Sequence, residues 1–443
     1  MAPKNRIIID TDPGVDDVLA MLLALSASPE DLEVVMLSVT YGNVPLQSCL
    51  RNVVALFHVL EKEMAWREAS GRSSAAFGAL KAFKPIVAIG PEHPLDDEVL
   101  PADDFHGADG LHGVHEAHPD LTPTEAWQSL FAKGEVPAAS DALAFSSYFK
   151  PSTTPSHKEI LRILKEEPAD TITIIAIGPL TNVALAAAED PETFLRVKEL
   201  VVMGGAVHVE GNITPVAEFN CYVDPVAAAR VYALTSPNPA STMPPAIPGK
   251  PSSVPAYPAK LSRPLKLTLF PADITTPHLL NKQYFLDAIA APEKEGSPLA
   301  RWCKTFMVGT FNKIDSIVGD GSEPGLSLHD PMCVWYMLLR DDPRWTPTPE
   351  LEDLRVETMG QWTRGMVVVD RRPRCPPGSD HTEGFAEASA KAVVLDGTEE
   401  EDDNMPGDTM GWLNVRKGNR IRRMVGSPGE SAFADFLMKS LFA

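Results

Sequence analysis

The N-terminal stretch IIIDTDPGVDD, residues 7–17, places four aspartates directly behind a run of isoleucines. The isoleucine run predicts a buried strand, the apolar spacing that begins at Val15 predicts a helix, and the Pro-Gly pair between them predicts a tight turn. The four carboxylates at this junction are Asp10, Asp12, Asp16 and Asp17. Gathered around one turn, they would repel one another unless a cation neutralises them.

A hard divalent cation is the expected partner of this cluster, because an all-oxygen ligand set favours Ca²⁺ or Mg²⁺ over zinc. Two of the aspartates could instead serve only as first-turn acids that complement the helix dipole. That alternative leaves Asp10 and Asp12, on the strand side, without a role. The spacing is not that of an EF-hand, because Met21 stands where the closing glutamate belongs.

A strand that ends in D-x-D also opens the haloacid-dehalogenase-type phosphotransferases, in which the first aspartate is phosphorylated. That alternative requires a later Ser or Thr, then a Lys, then a further acidic pair after strands. From the aspartate cluster alone, a metal site and a phosphotransferase site both stay open.

The composition of the 443-residue chain excludes some classes of partner. Its 39 basic against 60 acidic residues give a formal charge of −21, which argues against binding of a nucleic-acid backbone. Five scattered cysteines without a C-x-x-C pair favour reduced thiols over disulfides or a zinc site. The sequence shows no signal-peptide pattern, and no apolar run approaches the roughly 20 residues of a membrane helix. We therefore expect a cytoplasmic protein without membrane or nucleic-acid partners.

Short β-branched runs alternate with helical patterns over the first half of the chain. The predicted strands are 6–10, 32–40, 85–90, 171–178 and 199–206. The predicted helices are 15–28, 45–63, 181–190 and 224–235. Continuous apolar strands separated by helices indicate an α/β fold, a mostly parallel, Rossmann-like open sheet with helices on both faces.

Four segments interrupt this alternation within what we interpret as one domain, residues 1–443. They are 61–83, 119–158, 236–264 and 371–411. Segment 236–264 holds nine prolines in 29 residues, and segment 371–411 contains the acidic block EEEDDN. Neither composition suits regular structure, so we expect surface insertions, with the acidic segment mobile; a regulatory or partner-binding role is the alternative.

Two polar segments downstream could complete a site at the strand ends. The loop GGAVHVEGNITPVAEFNCYVDP, 204–225, holds Asn212, Glu218, Asn220 and Asp224. Amides and carboxylates without Lys or Arg suit a ligand rich in hydroxyl groups better than a phosphate, although each residue alone could be turn chemistry. Further on, SLHDPMCVWYMLL presents His329 and Asp330 before a helix, where Asp330 could be a plain N-cap.

The segment DFHGADGLHGVHEAH, residues 104–118, is rich in glycine and histidine. Histidines in such a loop are most simply exposed surface residues. A mobile loop over an active site is the alternative. The four imidazoles are His106, His112, His115 and His118.

Taken together, these motifs resemble those of the inosine/uridine-preferring nucleoside hydrolases. The segment DTDPGVDD (10–17) matches the N-terminal signature of that family. Further matches follow in the family's order: GN (42–43), IGPLTNVA (177–184), VVMGGA (201–206), GNITPVAEFN (211–220) and LHDP (328–331). The insertions make this chain longer than a typical member.

The resemblance implies a Ca²⁺ cofactor and a ribose site. The implied metal ligands are the side chains of Asp12, Asp17 and Asp330 and the main-chain carbonyl of Ile177. Asp10 is implied behind them, in support of the water at the ion. The residues implied to hold the ribose are Asp16, Asn43, Asn212, Glu218 and Asn220. Family members more often carry Thr at position 177, a change that a main-chain ligand tolerates.

The implied reaction is hydrolysis of a ribonucleoside to free base and ribose. Positive charge develops on the ribosyl ring, and carboxylates around it would stabilise that charge. Asp12 is the expected general base, while His329, and after it His106, is the expected acid for the leaving base. A homologue that binds nucleoside and Ca²⁺ without turnover is the alternative. The sequence does not predict the base preference, and the family suggests a homo-oligomer, a dimer or a tetramer.

Overall fold

The computed structural model describes residues 3–72, 76–96, 104–132, 147–245, 254–318, 325–372 and 408–442. The acidic block at 399–404 lies outside these described residues, as does the middle of the proline-rich segment.

Strands and helices alternate along the described chain. The strands are β1 Asn5–Thr11, β2 Leu32–Val39, β3 Ile86–Ile89, β4 Lys150–Pro151, β5 Ile172–Ala176, β6 Glu199–Met203, β7 Leu267–Phe270, β8 Leu279–Asn281, β9 Gly325–Ser327, β10 Thr346–Pro347, β11 Arg355–Val356, β12 Val367–Val368 and β13 Arg422–Gly426. The α-helices are α1 Val15–Ser26, α2 Leu46–Ala69, α3 Gly78–Ala82, α4 Val114–Ala117, α5 Ser156–Glu166, α6 Thr181–Glu189, α7 Pro191–Phe194, α8 Phe219–Val223, α9 Pro225–Ala233, α10 Ala272–Thr275, α11 Lys282–Lys294, α12 Pro298–Val318, α13 His329–Leu338 and α14 Glu430–Phe442. Short 3₁₀ turns span Pro119–Leu121, Glu125–Phe131 and Pro239–Ser241.

Within the described residues, nine strands form one sheet in the order β10-β13-β7-β6-β5-β1-β2-β3-β4. All neighbouring strands are parallel except β10, which pairs antiparallel with β13 at one edge. The predicted α/β class with a mostly parallel sheet is therefore confirmed. The five predicted strands and four predicted helices are all present, and α2 continues past its predicted end at residue 63.

The strand β1 lies at the centre of this sheet and sets the position of the aspartate cluster. Asp10 is in register with Ser38 of β2 on one side and Ala176 of β5 on the other. The carboxyl ends of these three strands therefore meet at one point of the sheet edge, which is where open parallel sheets bind their ligands.

Apolar cores cover both faces of the sheet. Ile7 and Ile9 of β1 point into the larger core, which includes side chains of α1, α2, α12, α13 and α14. Ile8 points to the opposite face, into the core that includes side chains of α5, α6 and α9. Because both faces of the sheet are covered, the sequence of β1 is a continuous apolar run and does not alternate between apolar and polar residues. In the described part of the chain, no helix is both long and apolar enough to cross a bilayer.

The C-terminal helix α14 belongs to the larger core. The rings of Trp335 in α13 and Phe433 in α14 stack with centroids 4.3 Å apart and planes 5° apart, and both side chains are buried. Helix α13 carries the HD pair at its start, so this stack connects the C-terminal helix to an element of the site.

We expect Phe433→Ala to destabilise the protein by roughly 3–5 kcal/mol, because it removes a buried aromatic side chain and leaves a cavity against Trp335. Chemical denaturation followed by tryptophan fluorescence measures the effect. Ser431→Ala, at an exposed position of the same helix, is the matched control and should change the stability by less than about 0.5 kcal/mol. Equal effects of the two substitutions would contradict the packing role.

Candidate active site

Asp12 follows β1 and is completely buried. Its Oδ2 accepts a hydrogen bond of 2.8 Å from the main-chain N–H of Asn43, whereas its Oδ1 is buried without a hydrogen-bond partner. Two glycines allow this placement. A Cβ at Gly42 would lie 2.0 Å from Oδ2, and one at Gly178 would lie 2.4 Å from Oδ1. Any larger residue at either position would displace the carboxylate.

Asp17 anchors the turn that carries Asp12. Its carboxylate accepts hydrogen bonds from the Thr11 hydroxyl (2.6 Å), from the main-chain N–H groups of Asp12 (3.2 Å) and Gly14 (3.0 Å), and from Asn43 Nδ2 (2.9 Å). Burial nevertheless raises its pKa. The turn geometry thus depends on a carboxylate that holds four donors.

Asp10 is the last but one residue of β1, and its side chain lies between β2 and α6. Its Oδ1 accepts hydrogen bonds from the Ser38 hydroxyl and from Asn182 Nδ2 (2.8 Å), and its Oδ2 is buried without a partner. Burial raises the pKa of Asp10 to about 7. Ser38 also lies 2.5 Å, oxygen to oxygen, from the Ser156 hydroxyl. Asp10 is therefore part of a buried polar network behind Asp12.

Asp330 of α13 joins the first turn of α1. One carboxylate oxygen from each of Asp16, Asp17 and Asp330 lies within 4.8 Å of the other two. Burial, together with the charges of the neighbouring aspartates, raises the pKa of Asp330 well above its usual value. The same two causes raise the pKa of Asp16 to about 7. Asp330 is not the N-cap of its helix, because α13 begins at His329 and Leu328 occupies the cap.

The chemistry of this cluster fits a hard divalent cation. The cluster offers carboxylate oxygens alone, and none of the described Lys or Arg side chains forms an ion pair with these aspartates. A cation bound here would relieve the like-charge repulsion at Asp330 and could use the unpartnered Oδ1 of Asp12 as a ligand. Carboxylate oxygens without a nitrogen or sulfur ligand suit a hard cation such as Ca²⁺ or Mg²⁺.

The loop after β6 supplies Glu218 and Asn220. Glu218 is the N-cap of α8, and its carboxylate accepts hydrogen bonds from the main-chain N–H groups of Asn220 (2.8 Å), Gly205 (2.6 Å) and Cys221 (3.2 Å). Asn220 Nδ2 donates to the carbonyl oxygen of Ile177 at 3.1 Å. Ile177 directly follows β5, so this hydrogen bond places Asn220 at the carboxyl end of that strand.

The other polar residues of this loop lie differently. Asn212 is exposed, and its Oδ1 accepts a hydrogen bond of 2.9 Å from the N–H of Phe219. Asp224 is the buried N-cap of α9 and also accepts from the Thr181 hydroxyl at 2.7 Å. Asp224 therefore has a structural role in this loop.

Two imidazoles belong to the site region. Nδ1 of His106 accepts a hydrogen bond of 3.0 Å from the N–H of Val15, the first residue of α1. Nδ1 of His329 lies 2.6 Å from the hydroxyl of Thr275. Burial lowers the pKa of His106 to about 3 and that of His329 to about 4, so both imidazoles are neutral at pH 7 in this structure. The four histidines of segment 104–118 are buried or half-buried, so the interpretation of an exposed loop is wrong.

Several residues of the site were not singled out from the sequence. They are Ser38, Gly42, Thr11, Gly178, Asn182 and Thr275. Four of them lie inside or next to motifs that the sequence analysis quoted. Ser38 and Thr275 carry no local signal, because each acquires its role through a partner that is distant in sequence.

An open, mostly parallel sheet with buried carboxylates at the carboxyl ends of its central strands is the architecture of an α/β protein that binds its ligand at the sheet edge. The fold matches that of a plant nucleoside hydrolase, the PpNRh1 enzyme, with a TM-score of 0.63 at 21% identity over 100% of both chains. Residues 7–401 match the family described as inosine-uridine preferring nucleoside hydrolase, and this chain belongs to that family.

Curated relatives agree with this assignment. The chain is 26% identical to the non-specific ribonucleoside hydrolase RihC of Klebsiella pneumoniae, with 88% of this chain and 98% of RihC covered. It is 30% identical to the pyrimidine-specific ribonucleoside hydrolase RihA of Salmonella typhimurium, over 82% of this chain and 88% of RihA. The protein is thus a hydrolase that acts on N-glycosyl compounds, and the phosphotransferase alternative is set aside.

Proposed function

We propose that this enzyme hydrolyses the N-glycosidic bond of ribonucleosides to free base and ribose with Ca²⁺ as its cofactor. The observation that carries the proposal is the buried, unpartnered Oδ1 of Asp12 beside the cluster of Asp16, Asp17 and Asp330. When bound, Ca²⁺ would offset the carboxylate charge, hold the 2′- and 3′-hydroxyls of the ribose and acidify a water.

The proposed ligands of Ca²⁺ are the side chains of Asp12, Asp17 and Asp330 and the main-chain carbonyl of Ile177. The geometry supports a further carboxylate, because Asp16 lies in the same cluster as Asp17 and Asp330. Asn43 supports the site by donating from Nδ2 to the main-chain oxygen of Asp12 (3.1 Å) and to Asp17 (2.9 Å).

Asp12 is the proposed general base. Its Oδ2 is held by the N–H of Asn43, and Oδ1 is the oxygen proposed to contact the ion, so the carboxylate would lie beside a water on that ion and could take its proton. Asp10, whose Oδ2 has no partner, lies behind it and supports this water. Burial, aided by the charge of Asp17, raises the pKa of Asp12 in the absence of an ion. A bound cation would lower that pKa and keep the carboxylate ionised, the form that can accept a proton.

Carboxylates and amides around the sugar would stabilise the ribosyl cation. The proposed ribose-binding residues are Asp16, Asn43, Asn212, Glu218 and Asn220. Asp16 and Glu218 are buried acids, so their charge acts on the developing cation with little screening by water. Asn212 is exposed in this structure and would have to turn inward to contact a sugar.

The leaving base is the proposed partner of His329 and His106. Each imidazole is neutral, so each would present one ring N–H to the base as a hydrogen-bond donor. A donor reduces the negative charge that builds on the departing base. Thr275 can donate to Nδ1 of His329, which leaves the proton on Nε2 for this purpose.

Removal of Ca²⁺ should abolish ribose release from inosine, uridine and cytidine, and added Ca²⁺ should restore it. We also expect Ca²⁺ to raise the melting temperature, since a ligand at 100 times its Kd stabilises the folded state by about 2.7 kcal/mol. Differential scanning fluorimetry with and without EGTA measures this shift. Asp330→Asn should reduce the shift, whereas the control Asp224→Asn should keep it. Full turnover after chelation would refute the calcium proposal.

Replacement of Asp12 by Asn should lower kcat by about 10²–10⁴-fold at saturating Ca²⁺, because it replaces the acceptor Oδ1 by a group that cannot take a proton. Chromatographic assay of free base and ribose gives the rate. Because Asp12 is also a proposed ligand, Asp12→Asn should need more Ca²⁺ for its thermal shift, and the rate is measured at a Ca²⁺ concentration that saturates that shift. Near-normal turnover by Asp12→Asn would contradict the general-base role.

We expect His329→Ala to lose more activity on inosine than on nitrophenyl riboside, because nitrophenolate leaves without a hydrogen-bond donor. The effect on inosine should be about 10²–10³-fold, the loss typical when one hydrogen-bond donor to developing negative charge is removed. Phe285→Leu, a substitution of a buried residue in α11, is the control for a general loss of stability. Equal losses on the two substrates would remove His329 from the leaving-group role.

A further inference from the structure

Residues 104–122, the histidine loop, are held against helices α1 and α12. His106 accepts a hydrogen bond from the start of α1, and His118 Nε2 lies 2.7 Å from the hydroxyl of Thr305 in α12. His112 lies against Gly309 of the same helix, where a Cβ would be 2.4 Å from the Cβ of His112. The histidine loop is thus docked in a defined position in this structure.

Asn52 of α2 connects this loop to the turn that carries Asp12. Its side chain is completely buried. Nδ2 donates to the carbonyl oxygen of Pro13 at 2.9 Å and to that of Asp109 at 3.0 Å. Pro13 directly follows Asp12, and Asp109 lies within the histidine loop. One amide group therefore joins the turn that carries Asp12 (the catalytic turn) to the histidine loop.

The orientation of this amide also determines the proton on His115. Because Nδ2 of Asn52 faces two carbonyl oxygens, Oδ1 is the atom that meets His115 Nε2, at 2.8 Å. Nε2 must then carry the proton. Burial lowers the pKa of His115 to about 4, which agrees with a single proton on its ring. Asn52 is thus hydrogen-bonded through both of its polar atoms.

The part of the histidine loop that contacts Asn52 is tightly folded. The Oδ1 of Asp109 accepts from the N–H groups of Leu111 and Gly113, both at 2.9 Å, which makes a compact turn. Gly110, at φ +85°, passes so close that a Cβ would lie 2.7 Å from Asn52 Nδ2. The N–H of His112 donates to the carbonyl oxygen of His106 at 3.1 Å, and the N–H of Gly110 donates to that of Gly107 at 3.0 Å. The part of the loop that Asn52 holds is therefore hydrogen-bonded to the segment that carries His106.

We propose that Asn52 is a positioning residue for the reaction: it holds the histidine loop on the catalytic turn so that His106 faces the leaving base. This inference rests on the proposed role of His106 at the base. Asn52 acts on the loop and not on Asp12, because Asp12 is held independently by Asn43 and by close contact with Gly42 and Gly178.

Asn52→Ala should lower kcat/KM for the preferred natural nucleoside by about 10²-fold, the loss typical of a small misplacement of a binding group. Its effect on nitrophenyl riboside should be much smaller, because that leaving group needs no contact with the loop. In a His106→Ala background, Asn52→Ala should add no further loss on the natural nucleoside. A merely structural role would lower both rates equally and would add to the His106→Ala loss.

His115 offers a second test that keeps Asn52 in place. His115→Ala should change the ratio of the two rates in the same direction, and His115→Gln, which can donate to Asn52 Oδ1, should restore part of it. If Asn52→Ala does not fold, this pair decides the question. Equal losses on both substrates, or no rescue by Gln, would overturn the inference. A failure of the proposed function would appear instead as full activity of Asp12→Asn.

Discussion

The site depends on the burial of several carboxylates at one point of the sheet edge without a cationic side chain among them. Burial and like-charge repulsion both raise the free energy of the ionised cluster. Asp17 is compensated by four hydrogen-bond donors, but Asp12 and Asp330 are not compensated to the same degree. The cluster is therefore unfavourable in isolation, and the proposed cation would offset that cost.

Such a cluster requires a rigid support, which the central strand provides. Strand β1 is paired on both edges and covered on both faces, so the turn after it has little freedom to relax away from the charge. Two glycines at the ends of neighbouring strands allow the main chain to approach the Asp12 carboxylate closely. Packing in the core thus fixes the carboxylate geometry, and the geometry in turn fixes where a cation could bind.

The sequence predicted the elements whose signals are local. The strand before the DTDPGVDD motif, the helix after it and the residues of the cluster follow from apolar period and residue type. The edge strand β4 and the pairing of β13 with β7 could not be predicted, because each is short and is defined by a partner distant in the chain. The hydrogen bond of His106 to the start of α1 is of the same kind.

The imidazoles and the carboxylates have different tasks because their surroundings differ. The N–H at the start of α1 donates to His106 Nδ1, so protonation of that nitrogen would break the bond and place positive charge at the positive end of the helix dipole. Burial also disfavours the imidazolium form. A neutral imidazole can orient and hydrogen-bond a departing base, whereas the carboxylates with raised pKa values are the groups suited to accept protons. In the proposed mechanism, proton transfer and leaving-group binding would thus fall to separate elements of the fold.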